Sequence, residues 1–305
     1  MTADGQIRQV DYENDPDLFF ALRGGGNNFA IVTGFVLKTI SQGDMWAGQL
    51  TYILEGNETA IALNNAFSNL NTHAADDPFA QAILPYVYTA GLYLSSPLLQ
   101  YGKPIPNPPI LEKFTAVPGA IQNTLGITNL VNLTEAFGPL NPSGYRETYW
   151  TLTIKNDPAL ILELFEIHKQ EVEKIKDAAN VVATIVFQPL NQNLISHSFK
   201  NGGNALGLSE EDGRLILMDI AVSWSSPDDD TRIKDAARNI IQRSNATAHA
   251  QGLGHRFVYQ NYAAIEQSVF PGYGEENLDR LKSIQKKYDP EMVFKNLQPG
   301  YFKLV

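Results

Sequence analysis

The chain has 305 residues, 44% apolar and 18% charged, enough for a sizeable core in one large or two smaller domains. Its net charge of -10 at pH 7, from 33 acidic against 23 basic residues with no basic cluster, argues against nucleic acid or a membrane surface as partner. No apolar run approaches the ~20 residues of a membrane span, Met1 to Gly5 read as no export signal, and the lack of cysteine removes disulfides and thiolate chemistry.

In chain order, Gln6 to Val10 reads as extended, and Asp15-Pro16-Asp17 opens a short helix through Leu22, with Asp15 as cap and proline in the first turn. Gly24 to Gly26 end it, and Phe29 to Leu37 is β-rich with an apolar centre, which predicts a buried strand. Residues 44–55 predict a strand and 57–71 an amphipathic helix. Ala82 to Thr89 with Gly91 to Leu94 predict a hairpin, and the prolines between 104 and 109 a surface turn. Beyond these, Glu147 to Ile154, Val181 to Gln188 and Leu215 to Trp224 alternate as strands, and Ala159 to Ala179 reads as a helix. Ser226 caps a helix running to about Ala250, and Asp228 to Asp230 suit the helix dipole better than a metal. Two more helices close the chain, one ending near Tyr288 and one starting after Asp289-Pro290.

Three segments together carry a family resemblance. Ala3-Asp4-Gly5 with Asp17-Leu18-Phe19-Phe20-Ala21-Leu22-Arg23-Gly24-Gly25-Gly26-Asn27-Asn28-Phe29-Ala30-Ile31-Val32-Thr33 resembles the stretch that closes the flavin domain of berberine bridge-type FAD-linked oxidases. Tyr259-Gln260-Asn261-Tyr262-Ala263 with Tyr273-Gly274 and Asn277 resembles a second family segment. Lys287-Tyr288-Asp289-Pro290-Glu291-Met292-Val293-Phe294 and Pro299-Gly300-Tyr301-Phe302-Lys303-Leu304 resemble the tail of the fungal members. The middle resembles the substrate domain, through Phe187-Gln188-Pro189 and Gly203 to Leu208. Departures are Asn27-Asn28 for Gly-Asn, Ala30 for glycine and Tyr301 for a glycine in the tail.

The resemblance implies an α+β fold: a large, mostly antiparallel sheet flanked by helices, plus a remnant of the FAD-binding domain formed by both termini. It implies a division at 1–43, 44–255 and 256–305, the chain beginning inside the flavin domain. The implied activity is FAD-dependent oxidation of a small, secondary-metabolite substrate. A flavin-independent isomerase or cyclase and an inactive fragment are the alternatives. A separate flavin-binding half or a homodimer are the partners left open. No compartment is assigned; relatives of this family are often secreted, and sequons stand at Asn57, Asn132 and Asn245.

By the resemblance, Gly24, Gly25, Gly26, Asn28, Ile31 and Val32 would line the flavin site, with Asn261 at the ring and Tyr262 beside it as a catalytic candidate. Without it, Gly24 to Gly26 read as turn chemistry, since they follow a helix and precede a strand. Asp219 stands mid-strand, on the face opposite Ile216, Met218, Ile220, Val222 and Trp224; a carboxylate there is either a general base raised by desolvation or a paired, solvent-facing acid. Tyr149 and Gln188 hold comparable positions on neighbouring strands and, with Asn204, are substrate-binding candidates. The five histidines show no metal spacing and read as surface residues, so no metal is expected.

Overall fold

Alternation in the sequence becomes a single sheet. In the computed structural model, which describes residues 1–138 and 142–304, the elements run α1 (Pro16–Leu22), β1 (Met45–Ile53), α2 (Glu58–His73), β2 (Ala80–Thr89), β3 (Leu92–Ser95), β4 (Leu98–Tyr101), α3 (Glu112–Thr115), β5 (Gln122–Asn123), β6 (Gly126–Thr128), α4 (Leu130–Phe137) and β7 (Arg146–Lys155). There follow α5 (Pro158–Val172), β8 (Val182–Leu190), α6 (Gln192–Ser196), β9 (Leu215–Trp224), α7 (Asp230–Ala250), β10 (Gly254–His255), α8 (Glu275–Tyr288) and α9 (Val293–Leu297). The α+β class with a large antiparallel sheet is as expected.

The chain forms two compact units. The larger, Ser41–Asn193 with Gly213–His255, holds the sheet in the order β10-β7-β9-β8-β2-β3-β1-β4, with β5 and β6 added on β1 and every pairing antiparallel. One face is covered by α2, α5 and α7. The register sets Tyr86, Ile185, Ile220 and Trp150 in one row, and Tyr86 stacks on Phe165 of α5 at 4.3 Å between centroids. Burying such side chains is worth about 1.5–3 kcal/mol each. Helix α5 starts where Asp157 accepts from Ala159 N and Leu160 N at 2.9 and 2.8 Å, with Pro158 at its first position. It ends at Val172, short of the expected Ala179.

The smaller unit comprises Met1–Ile40, Leu194–Asp212 and Arg256–Val305, so 194–212 joins the termini and not the sheet. Here α1 packs on α8, and Tyr288 Oη donates to Asp15 at 2.9 Å. Buried Asp289 accepts from Val293 N and Phe294 N at 2.7 and 2.9 Å, which explains the Asp-Pro before α9.

Two expectations about burial are corrected. Phe29 to Leu37 is not a buried strand: no strand is assigned from 29 to 44, and Ile31, Val32, Phe35, Val36, Leu37 and Ile40 are exposed. A strand needs neighbours to satisfy its backbone, and the described residues provide none. Gln6 to Val10 likewise forms no ladder. Asn261 and Tyr262 sit in a turn, closed by Tyr262 N donating to Tyr259 O at 3.1 Å. His168 is not a surface residue: it is fully buried on α5, and burial holds its imidazole down at about 3, hence neutral.

Candidate functional site

Two sets of residues have the character of sites, one in each unit. In the smaller unit, Leu22, Gly24, Gly26, Asn27, Gln260, Asn261, Ala263, Ile265, Tyr301 and Phe302 line a cavity of about 770 Å³. That size is within the range of small-molecule and cofactor sites. Its glycine wall is built by packing: Gly24 and Gly26 have φ of +120° and +64°, and a Cβ on Gly26 would meet Gln260 Nε2 at 2.4 Å. Gly25 does not line the cavity; a Cβ there would meet Ala21 O and the Phe29 ring at 2.4 Å. Tyr273 Oη ties the loop down by donating to Gly24 O at 2.9 Å, and Arg23 anchors its start by donating to Asn201 O at 2.7 Å.

The polar lining is part used, part available. Asn261 Nδ2 donates to Tyr259 Oη at 2.8 Å, and Asn27 Oδ1 accepts from Lys303 Nζ at 2.9 Å. Gln260 Oε1 lies 3.4 Å from Tyr273 Oη, whose single proton goes to Gly24 O. Asn261 Oδ1, Asn27 Nδ2 and Gln260 Nε2 make no hydrogen bond among the described residues. Amide donors and acceptors beside apolar Leu22, Ala263, Ile265 and Tyr301 suit a planar ring with polar edges.

Asn28 stands differently from the expectation. It is fully buried, and its amide is spent on the chain: Nδ2 donates to Gly25 O and Phe302 O at 2.8 and 3.0 Å, and Oδ1 accepts from Leu304 N at 3.2 Å. Its side chain clamps the tail to the glycine loop. Ile31 and Val32 lie outside the cavity lining, 44% and 43% exposed. Tyr262 packs edge-on against Tyr259 at 5.0 Å. Asn204 lines a separate pocket of about 290 Å³ with Phe20, Phe199 and Arg280, and its Oδ1 accepts from Leu206 N at 3.0 Å.

In the larger unit the sheet face away from the helices carries Asp219. Its cross-strand partners are Thr151 and Val186; Tyr149 faces Ala221 and Gln188 faces Leu217. Register therefore brings Tyr149 and Gln188 onto the face of Asp219, two residues to either side, about 7–8 Å on the diagonal. Asp219 is 6% exposed, its Oδ1 has no hydrogen-bond partner among the described residues, and burial pushes its carboxyl up to about 7. Thr153, on the same face, holds a second buried and unpartnered oxygen. A groove of about 110 Å³ lined by Glu147, Tyr149, Thr184, Ala221 and Ser223 begins beside Asp219 without including it. Tyr149 Oη donates to Glu147 there at 3.2 Å.

The acids at the start of α7 are engaged with the chain: Asp230 pairs with Arg146 and accepts from Trp224 Nε1, and Asp229 pairs with Arg232. No group of metal-ligating side chains occurs among the described residues. Sequence reasoning missed Gln260, Asn27, Ile265 and Tyr301 as lining; the one available signal was the tyrosine in place of a tail glycine.

Residues 258–299 match the family described as berberine and berberine like. Over 99% of its length the chain is 32% identical to the FAD-dependent monooxygenase tpcD of Cochliobolus heterostrophus and to the FAD-dependent monooxygenase FUP4 of Fusarium proliferatum, covering 60% of each. Among solved structures, 6-hydroxy-D-nicotine oxidase from Arthrobacter nicotinovorans has the same fold, with a TM-score of 0.72 at 14% identity over 96% of this chain and 63% of that one. The chain spans about three-fifths of the length of these curated relatives.

Proposed function

We propose that this chain, which belongs with the berberine-like FAD-linked proteins over the three-fifths it shares with them, is the substrate-binding and flavin-contacting portion of an FAD-dependent oxidoreductase acting on a small molecule. The observation that carries the reading is Asp219: a buried carboxyl in mid-sheet, with an oxygen that no group among the described residues satisfies and a protonation equilibrium near neutrality. Such a group takes a proton from a substrate O–H or C–H at physiological pH. Tyr149 and Gln188 on the same face would orient the substrate. The cavity at Gly24, Gly26, Gln260 and Asn261 fits part of a flavin, its free amide groups facing ring-edge heteroatoms. FAD, when bound, supplies the acceptor for the electrons leaving the substrate. Tyr262, beside Asn261 in the turn, would support that wall through Tyr259.

The reading also accounts for the exposed apolar run from Ile31 to Ile40, whose backbone from Val32 onward makes no hydrogen bond among the described residues. Its side chains are apolar on both faces, which suits a strand within a larger sheet better than the edge of a two-stranded ribbon between copies of this chain. A further portion of chain, such as the two-fifths of the relatives' length that this chain does not span, would cover it. A flavin-independent isomerase or cyclase is not favoured, because the relatives at 32% identity carry FAD-dependent names.

The test is the visible difference spectrum of the purified protein titrated with FAD, beside Asn261→Ala. A perturbed flavin band that Asn261→Ala weakens by about tenfold in Kd, the worth of one well-placed hydrogen bond, is the expected result. An unperturbed spectrum in wild type removes the flavin assignment, and equal binding by both proteins removes Asn261.

A further inference from the structure

We propose that Tyr301 is a stacking residue for a planar nitrogen heterocycle in the cavity of the smaller unit, held in position by a strained backbone. The proposal rests on the flavin reading of that cavity and adds a residue outside the expected site set. Tyr301 has φ of +56°, in the left-handed region, directly after Gly300 at +88°. A residue with a β-carbon is disfavoured there, and tyrosine lacks the short polar side chain that lets asparagine or aspartate adopt it. Its side chain returns nothing for that strain inside the protein: it is 73% exposed and makes no hydrogen bond or ring contact among the described residues.

The conformation persists because the next residues are pinned. Asn28 bonds Phe302 O and Leu304 N, and Lys303 Nζ donates to Asn27 Oδ1 and Phe294 O. A surrounding structure that over-determines one unfavourable backbone angle is the circumstance in which strain marks function. The ring so held borders the cavity that also presents Gln260 and Asn261. Aromatic area beside unpaired amide donors and acceptors is the chemistry that recognises a flat ring with heteroatoms along its edge. An isoalloxazine and an adenine both answer to it, and FAD contains the two.

The experiment compares wild type with Tyr301→Gly, Tyr301→Phe and Tyr301→Leu, measuring the ligand-free melting midpoint and the affinities for FAD, riboflavin and AMP by fluorescence or equilibrium dialysis. Tyr301→Gly is expected to melt about 2 °C higher, because glycine relieves the left-handed strain. It is expected to bind roughly three- to tenfold more weakly, as lost stacking requires. Tyr301→Phe should keep wild-type affinity within about twofold, whereas Tyr301→Leu should lose as much as Tyr301→Gly. Weakened riboflavin binding assigns the stack to the isoalloxazine, and weakened AMP binding assigns it to the adenine. Wild-type affinity in Tyr301→Gly or Tyr301→Leu overturns the role of Tyr301 alone, and a lower melting midpoint in Tyr301→Gly overturns it in favour of a structural one. Wild type that binds none of the three overturns the flavin reading and the stack together.

Discussion

Two buried polar side chains show how identical burial yields opposite roles. Asn28 is fully buried with three hydrogen bonds to the backbone, which use both of its N–H donors and leave no donor for a ligand. Asn28→Ala would remove three hydrogen bonds to the backbone, at about 1–3 kcal/mol for each buried group left unsatisfied. A loss of at least about 3 kcal/mol in chemical denaturation is expected, and a loss under about 1 kcal/mol would show that the clamp is not structural. Asp219 is nearly as buried and lacks a partner for Oδ1, which leaves it chemically available. Asp219→Asn keeps the shape and removes the base. With a substrate in hand, turnover should fall at least about 100-fold, the usual worth of a positioned base, while the unfolding free energy does not fall. Turnover within about threefold of wild type would take Asp219 out of the mechanism.

At the scale of elements, the segment from Val32 to Ile40 has no hydrogen-bonded backbone among the described residues. Phe35, Val36 and Leu37 are 79%, 96% and 79% exposed, and no neighbouring strand satisfies their backbone. Backbone so exposed is what a protease requires, so brief chymotrypsin treatment should cut first after Phe35 or Leu37, with the ten-stranded sheet left intact. Mass spectrometry of the first fragments checks this; first cuts elsewhere would mean that the segment is covered in solution. The hairpin β2–β3 and helix α5 are the contrasting case, because the ladder of β2 with β8 and the Asp157 cap supply what each element needs.

For the whole molecule, two buried groups should shape stability against pH in opposite directions. Asp219 titrates near 7 in the folded chain and near 3.8 when exposed, so the stability it contributes is full below about 4 and lost as pH rises to 7. His168 titrates near 3 when folded and 6.5 when exposed, so its contribution is full above 6.5 and lost as pH falls towards 3. Between about 4 and 6.5 the two slopes, each up to about 1.4 kcal/mol per pH unit, oppose each other. Subtracting the wild-type unfolding curve from that of Asp219→Asn should leave a difference rising with pH in favour of the variant and levelling above 7. The same subtraction for His168→Met should leave one rising as pH falls. Flat differences would mean that neither group is desolvated as described.

The sequence by itself determined the elements whose causes are local: the alternation of β7, β8 and β9, the Pro-Asp and Ser-Pro helix starts, and the side of β9 on which Asp219 stands. These follow from a period of two, from fixed φ at proline and, at Ser226, from capping, which need no partner to be legible; Asp15 makes no side-chain cap bond and instead accepts from Tyr288. The three motifs of the family resemblance were equally visible, and Asp289 and Arg23 within them turn out to serve the fold through caps and anchors. Only the tertiary structure decided what depends on neighbours. Phe29 to Leu37 has the composition of a buried strand and lies exposed, since a strand exists by pairing and composition names no partner. The turn at Asn261, the burial of His168, the register that gathers Tyr149, Gln188 and Asp219, and the cavity rim at Tyr301 are all set by residues distant in the chain, and no local pattern encodes them.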